Sequence, residues 1–251
     1  MEAKKLFHGI VITYRPFEKY SSTKGFDYFE NLFDQYSTGK NKLSDSTIIK
    51  VLNRNKWTNM TITTDLTGSM APYVVQLLLW YKMNTTDKNV KLITFFNDGD
   101  NKPNSSKIIG NTGGIYYSKS NGIDSLYKFM AKVMINGNGG DSPENNMEAL
   151  IKGTQLASNF KEIIMIADNY APVKDIELLI QFKLPVRIIL CGLNYEVEED
   201  YLRIAKETKG SIHTIEQDIL NLSEILEGKT ITIQGVEYKL MNGKFIRLTR
   251  S

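Results

Sequence analysis

A single cysteine, Cys191, occurs in 251 residues, so no internal disulfide can form and a reducing compartment is expected. Histidine is nearly as scarce. His8 and His213 are too few and too scattered for a zinc site or a proton relay, and His213, within a strand-like run, reads as structural. No run of about 18 apolar residues is present to span a bilayer. The first ten residues, Lys4 and Lys5 among them, hold too short an apolar stretch for a signal peptide. Together these absences lead to the expectation of a cytoplasmic protein without a membrane partner. Charge of one sign is also missing: +3 is too small for a nucleic-acid footprint, and the basic flanks lack interleaved arginine and aromatic residues. The glycine-rich stretch Gly137–Gly140 is not followed by Lys-Ser/Thr, so a phosphate-cradling loop is poorly supported.

What is present fits one large α/β domain or two small ones, with 41% hydrophobic and 24% charged residues. The charge is unevenly spread. Residues 1–60 carry ten Lys/Arg against six Asp/Glu and residues 229–251 five against one, which leaves 61–228 at −5. From Asp65 to about Asp218, short apolar runs alternate with helical segments, the pattern of a doubly wound, mainly parallel central sheet flanked by helices. Strands are predicted at Met60–Thr64, Val90–Phe96, Ile115–Ser118, Glu162–Ala167, Val186–Cys191 and Ser211–Ile215. The near-continuous apolar character of 163–166 and 186–190 suits strands buried on both faces. Helices are predicted at Tyr73–Met83, Asp124–Ile135, Glu144–Ser158, Asp175–Phe182, Glu199–Thr208 and Ile219–Leu226, with Ser142-Pro143-Glu144 as a helix start. Three regions are expected: a mostly helical N-terminal extension (1–57), the α/β domain (58–228), and a C-terminal β-hairpin or meander (229–251) with turn signals at Gln234-Gly235 and Asn242-Gly243.

Three polar clusters fall where predicted strands or loops give way to the next segment. They are Asp65-Leu66-Thr67-Gly68-Ser69-Met70, Gly139-Gly140-Asp141-Ser142-Pro143-Glu144, and Asp168-Asn169. Taken alone, the first two read better as a helix cap or turn and Asp168 as a loop residue. In an open α/β sheet, however, loops at the carboxyl ends of strands converge on one crevice, so Asp65, Thr67, Ser69, Asp141 and Asp168 can meet. That set offers only hard oxygen donors, which suits Mg²⁺, with Mn²⁺ or Ca²⁺ as alternatives, and not zinc or copper.

The three clusters, in this order, resemble the von Willebrand factor A (vWA) family with its metal-ion-dependent adhesion site. Asp65-x-Thr67-x-Ser69 matches the first motif of that family, Gly139-Gly140-Asp141-Ser142-Pro143-Glu144 a variant of the second, and Asp168 after a hydrophobic strand the third. The resemblance covers roughly residues 58–228. It implies a cation held by the Thr67 and Ser69 hydroxyls, with Asp65 and Asp168 acting mainly through bound waters and Asp141 directly or through water. It further implies a non-enzymatic, metal-dependent protein-interaction module in an intracellular complex of bacterial type. Asp141 stands where the family more often has threonine; this third carboxylate weakens the pull of the ion on an acidic partner group. Two further loops reach towards the same edge, so Asp98, Asp100, Thr112 and Asn169 are candidate partner contacts, although acidic turns of the Asn97–Asp100 kind are commonly plain hairpin loops.

Two other functions are weighed against this one. A phosphohydrolase of the haloacid dehalogenase type, with Asp65 as nucleophile, needs a carboxylate two residues on as general acid, where this chain has Thr67. An RNA-associated binding role rests on the basic flanks and on the resemblance, since some proteins with this domain work alongside RNA-binding modules.

Overall fold

The computed structural model describes residues 3–7, 10–14, 24–38, 40, 45–84, 89–119, 122–137, 143–193 and 196–248, with side chains from residue 31 onward. The chain begins with two antiparallel strands, β1 (Ala3–Phe7) and β2 (Ile10–Tyr14), followed by helices α1 (Lys24–Ser37) and α2 (Thr47–Asn55). The central layer is then built by β3 (Met60–Asp65), α3 (Ala71–Met83), β4 (Val90–Phe96), β5 (Ile115–Ser118), α4 (Ile123–Asn136), α5 (Asn146–Leu156), β6 (Glu162–Asp168), β7 (Val186–Cys191), α6 (Glu199–Glu207), β8 (Ser211–His213) and β9 (Asp218–Ile219). A meander of β10 (Thr230–Ile233), β11 (Val236–Met241) and β12 (Lys244–Leu248) closes the chain.

Seven strands form one sheet in the order β5-β4-β3-β6-β7-β8-β9. The five inner strands run parallel, and β5 and β9 are antiparallel edges. The alternation of strand side chains explains the double winding. From β6, Ile164 and Ile166 pack with α2, α3 and α4, whereas Ile163, Met165 and Ala167 pack with α5, α6 and the meander. Both faces of the sheet are therefore covered, as a parallel sheet requires, and the fold is a Rossmann-like doubly wound α/β architecture.

Helix α3 is buried almost all round, which its run of Val74, Val75, Leu77, Leu78 and Leu79 demands. Its one buried polar residue, Gln76, is used structurally. Gln76 Oε1 accepts from Ile48 N at 3.0 Å and Nε2 donates to Asp45 O at 3.1 Å, which caps the start of α2. On the opposite face α5 lies close to the sheet through Gly153, where a Cβ would stand 2.3 Å from Thr94 Oγ1. The meander packs Ile233, Tyr238, Leu240 and Phe245 into the same core as α6.

The sequence-based boundaries need four corrections. The N-terminal extension carries the β1–β2 pair before its helices. Helix α5 starts at Asn146, because the Glu144 backbone instead bridges to Val173 and accepts from Lys174 N at 3.1 Å. Residues Ile176–Gln181 form 3-10 turns, with the Asp175 carboxylate drawn away to cap Met147 N and Glu148 N of α5. The segment expected as a helix over Ile219–Leu226 begins as edge strand β9, paired to β8, followed by the short 3-10 turn Leu222–Glu224. Among the described residues no helix is long and apolar enough to cross a membrane.

Candidate metal centre

The order β4-β3-β6 fixes where a ligand crevice lies. The chain steps from β3 to β4 on one side and later returns to β6 on the other, so the carboxyl ends of β3 and β6 flank a topological switch point. Asp65 is the last residue of β3 and Asp168 the last of β6. Asp98 lies two residues beyond β4.

Asp65 is fully buried. Its Oδ1 accepts the Thr67 backbone N–H at 2.7 Å, a local turn that Asp readily forms. The turn places Thr67 in extended geometry ahead of the 3-10 turn Gly68–Met70, and buried Met70 anchors the entry to α3. The Thr67 and Ser69 hydroxyls stand 3.4 Å apart, and Ser69 is near enough to Asp168 to favour its charged form. Asp168 Oδ1 accepts from Tyr170 N at 3.1 Å, and its carbonyl accepts from Tyr201 Oη at 2.9 Å. The structure thus brings Asp65, Thr67, Ser69 and Asp168 to one edge. Asp141 lies outside the described residues. Gly192 closes the set from β7: its φ of +69° is left-handed, and a Cβ there would be 3.1 Å from Asp168 Oδ1.

Two carboxylate oxygens are left over. Asp65 Oδ2 is buried and has no hydrogen-bond partner among the described residues, and the same holds for Glu144 Oε2. Orphaned buried carboxylate oxygens are costly. Their electrostatics agree. Burial, then repulsion from Asp168 and Asp98 against the opposing Thr67 hydrogen bonds, raises Asp65 to about 7. Burial, with repulsion from Asp65 and Asp98, raises Glu144 to about 10. Asp168 is raised as well, mainly by burial. A cation would reverse every one of these effects. The residues present fit such an ion: all donors are hard oxygens, and the buried Asp65 Oδ2 is unclaimed among the described residues. Among the described residues no three His, Cys, Asp or Glu side chains group as a metal cluster, so an ion here would rest on the two hydroxyls and on water as much as on carboxylates.

Each outer candidate makes hydrogen bonds or ion pairs within the fold, and Asp98 and Thr112 are buried. Asp98 is fully buried, and its Oδ2 receives the ammonium groups of both Lys107 and Lys174. Asp100 accepts from Tyr116 Oη at 2.6 Å and Asn97 Nδ2 at 3.0 Å. Thr112 is 1% exposed, and its N–H donates to Glu148 Oε2 at 2.9 Å. Asn169 Nδ2 donates to Glu196 O at 2.6 Å while its Oδ1 accepts from Glu198 N at 2.9 Å, tying the start of α6 to β6. Asp98 and Thr112 are therefore too buried to touch a partner, and Asn97–Asp100 is no plain hairpin loop. Glu144, read from sequence as part of the second motif and as a helix start but not as a ligand, turns a buried oxygen without a partner among the described residues towards this edge's charge balance, and Lys107 and Lys174 carried no sequence signal at all.

Two other features lie near by. A cleft of about 510 Å³ opens beside Asp168, between Tyr170, Gly192, Glu198, Tyr238 and Arg247. Farther along the sheet, Ser211 Oγ and His213 Nε2 are 2.7 Å apart, as are His213 Nδ1 and Asp218 Oδ1. This has the connectivity of a nucleophilic relay. Yet Ser211 and His213 are fully buried, Trp57 stands edge-on to the imidazole with ring centroids 4.7 Å apart, and Arg54 Nε holds Asp218 Oδ2 at 3.0 Å. The cluster pins α2 to the β8–β9 edge, as the structural reading of His213 expects.

Comparison of the chain with protein-family models, with curated proteins and with solved structures finds no match.

Proposed function

We propose that the chain is a divalent-cation-dependent protein-interaction module of the vWA type, non-enzymatic, serving in an intracellular complex. Mg²⁺ is the ion of choice, with Mn²⁺ or Ca²⁺ meeting the same donor chemistry. The observation that carries the reading is the Asp65 carboxylate. It is fully buried at the switch point with Oδ2 unclaimed among the described residues, and the Thr67 and Ser69 hydroxyls and the Asp168 carboxylate lie at the same edge. Those four residues, with Asp141 from outside the described residues, would hold the ion, and the second oxygen of Glu144 adds to the same charge balance. The bound ion would supply one exchangeable coordination position for an oxygen donor of a protein partner. Thr67, a hydrogen-bond donor to Asp65, stands where a phosphohydrolase would need its acid, which favours binding over catalysis.

The test is the melting temperature of the purified chain in EDTA and in excess Mg²⁺, Mn²⁺ or Ca²⁺, beside Asp65→Ala. An ion present at about 100 times its Kd adds about 2.7 kcal/mol to the stability of the native state. A rise with metal that is absent in Asp65→Ala supports the reading and directs a partner search with and without EDTA. Identical melting of the wild-type chain in EDTA and in every metal overturns it.

A further inference from the structure

Helix α5 leads into β6, which runs parallel to β3, so α5 crosses the sheet against the strand direction and its amino end stands at the carboxyl ends of the strands. Gly153 of α5 faces the sheet, since a Cβ there would stand 2.3 Å from Thr94 Oγ1. Asn146 lies seven residues earlier, two turns along the same stripe. Two turns rise about 11 Å, and three residues of strand span about 10 Å. Asn146 therefore meets the sheet just past the level of Phe96 and Asp65, which are paired in register at the ends of β4 and β3. It is 1% exposed, and neither its Oδ1 nor its Nδ2 has a partner among the described residues. The two residues before it repeat the pattern, for Glu144 Oε2 and Asn145 Oδ1 are also buried there without a partner. The first turn of α5 is otherwise satisfied, because the Asp175 carboxylate accepts from Met147 N and Glu148 N. A buried carboxamide with neither end bonded is costly, and an apolar side chain of similar size would avoid that cost.

We infer that Asn146 is a further positioning residue of the metal edge, whose Oδ1 accepts from a water in the shell of a divalent cation held at Asp65. The inference rests on the metal reading above and deepens it. Mg²⁺ keeps several of its waters when it binds a protein. Such a water has its lone pair committed to the ion and two protons to give, so it needs buried acceptors. Asp65 Oδ2, Glu144 Oε2 and Asn146 Oδ1 are acceptors of that kind, unclaimed among the described residues. The Nδ2 end only donates, which suits a carboxylate or water oxygen and not a cation. Asn146 is also uncharged. It adds a hard oxygen to an edge that already gathers Asp65, Glu144 and Asp168, without adding a further negative charge to repel them in the metal-free protein. The bridge from Glu144 to Val173 ties the approach of α5 to the segment after β6, which keeps Asn146 at the edge whether or not an ion is bound.

The test uses Mn²⁺ as probe, with free ion read by electron paramagnetic resonance at fixed pH and salt, together with the melting temperature in EDTA. Asn146→Leu replaces the amide by an apolar side chain of similar size. The expected result is Mn²⁺ bound at least tenfold more weakly than by the wild type, with a melting temperature in EDTA equal to or above that of the wild type. A merely structural residue would move stability alone, or stability and affinity downwards together, so the opposed directions separate the two roles. Asn146→Asp keeps an oxygen at the same place and adds a charge, and it carries the test should the leucine variant not fold. At pH 8 it should melt lower in EDTA and bind Mn²⁺ at least as tightly as the wild type. Three results overturn the inference and leave the metal reading standing, given a wild-type chain that binds the ion: unchanged affinity in Asn146→Leu, weaker affinity there with a lower melting temperature in EDTA, or weaker affinity in Asn146→Asp. A wild-type chain that binds no Mn²⁺ overturns the metal reading, and the inference with it.

Discussion

The buried carboxylate of Asp65 makes metal binding and proton binding compete, and the structure sets the scale. Its ordinary value is 3.8, and in the fold it stands at about 7, chiefly because burial disfavours the charged form. A raised acid of this kind contributes stability that is full below 3.8 and is lost as pH rises through about 7. At about 1.4 kcal/mol per pH unit, that interval corresponds to about 4 kcal/mol. For a chain of this length 1 kcal/mol moves the melting temperature by about 2–4 °C, so the metal-free protein should lose roughly 10 °C on this account between pH 4 and pH 8. Glu144, held at about 10, adds a loss of the same sign that continues into alkaline pH.

A divalent ion binds the ionised carboxylates, so the gap between melting in Mg²⁺ and in EDTA should widen from pH 5 to pH 8. At pH 6, where Asp65 is largely protonated in the metal-free state, ion binding should expel about one proton. Calorimetric titration in two buffers of different ionisation enthalpy reads that proton directly. Asp65→Asn keeps an acceptor for the Thr67 N–H and removes the charge, so in EDTA its melting temperature should fall less steeply with pH than that of the wild type. Equal slopes for the two chains, or Mg²⁺ binding at pH 6 without proton release, would refute the reasoning.

Gly192→Ala should destabilise the chain by about 1–2 kcal/mol for the left-handed backbone alone. It should also weaken the Mg²⁺ response, since the new methyl would press on Asp168 Oδ1 from 3.1 Å; denaturant melts with and without Mg²⁺ check both. Gly153→Ala drives a methyl into Thr94 under α5 and should lower stability by about 1–3 kcal/mol while leaving the metal response intact, read by the same melts. His213→Ala should lower stability at pH 7 by about 3 kcal/mol through two lost buried hydrogen bonds and a cavity. Burial lowers the His213 value below 6.5 despite Asp218, so its contribution is present above 6.5 and lost as pH falls through the folded value. The variant should accordingly unfold in acid with a shallower slope below pH 6, measured by circular dichroism.

The parts of this molecule that were legible in the sequence are those set by local periodicity. Val90–Phe96, Ile115–Ser118 and Val186–Cys191 are rich in β-branched, aromatic and aliphatic residues, and the predicted limits coincide with the strands. The clustering of Asp65, Thr67, Ser69 and Asp168 was legible because strand ends in a parallel sheet share one edge. What failed depended on distant partners. Pro143-Glu144 has the local signature of a helix start, yet a bridge to Val173 holds Glu144 extended and delays α5 to Asn146. Asp175 looked like the opening of a helix, and its carboxylate serves the amino end of another one. Lys107 and Lys174 are 67 residues apart and look like surface lysines. Only the folding of two loops over β3 buries both on Asp98.

Burial also decides from which side a partner can approach the proposed ion. Asp65 and Asp98 are fully buried, Thr112 is 1% exposed and Thr67 4% exposed, so none of them offers a contact surface. Ser69 is exposed and Asp168 partly so, which leaves the Ser69 side as the way in. Tyr170, whose N–H donates to Asp168, is 80% exposed beside that opening. An exposed large aromatic side chain at a rim gains most from being covered, so on the proposed reading Tyr170 supplies contact area to the partner and the ion fixes its orientation through a single oxygen.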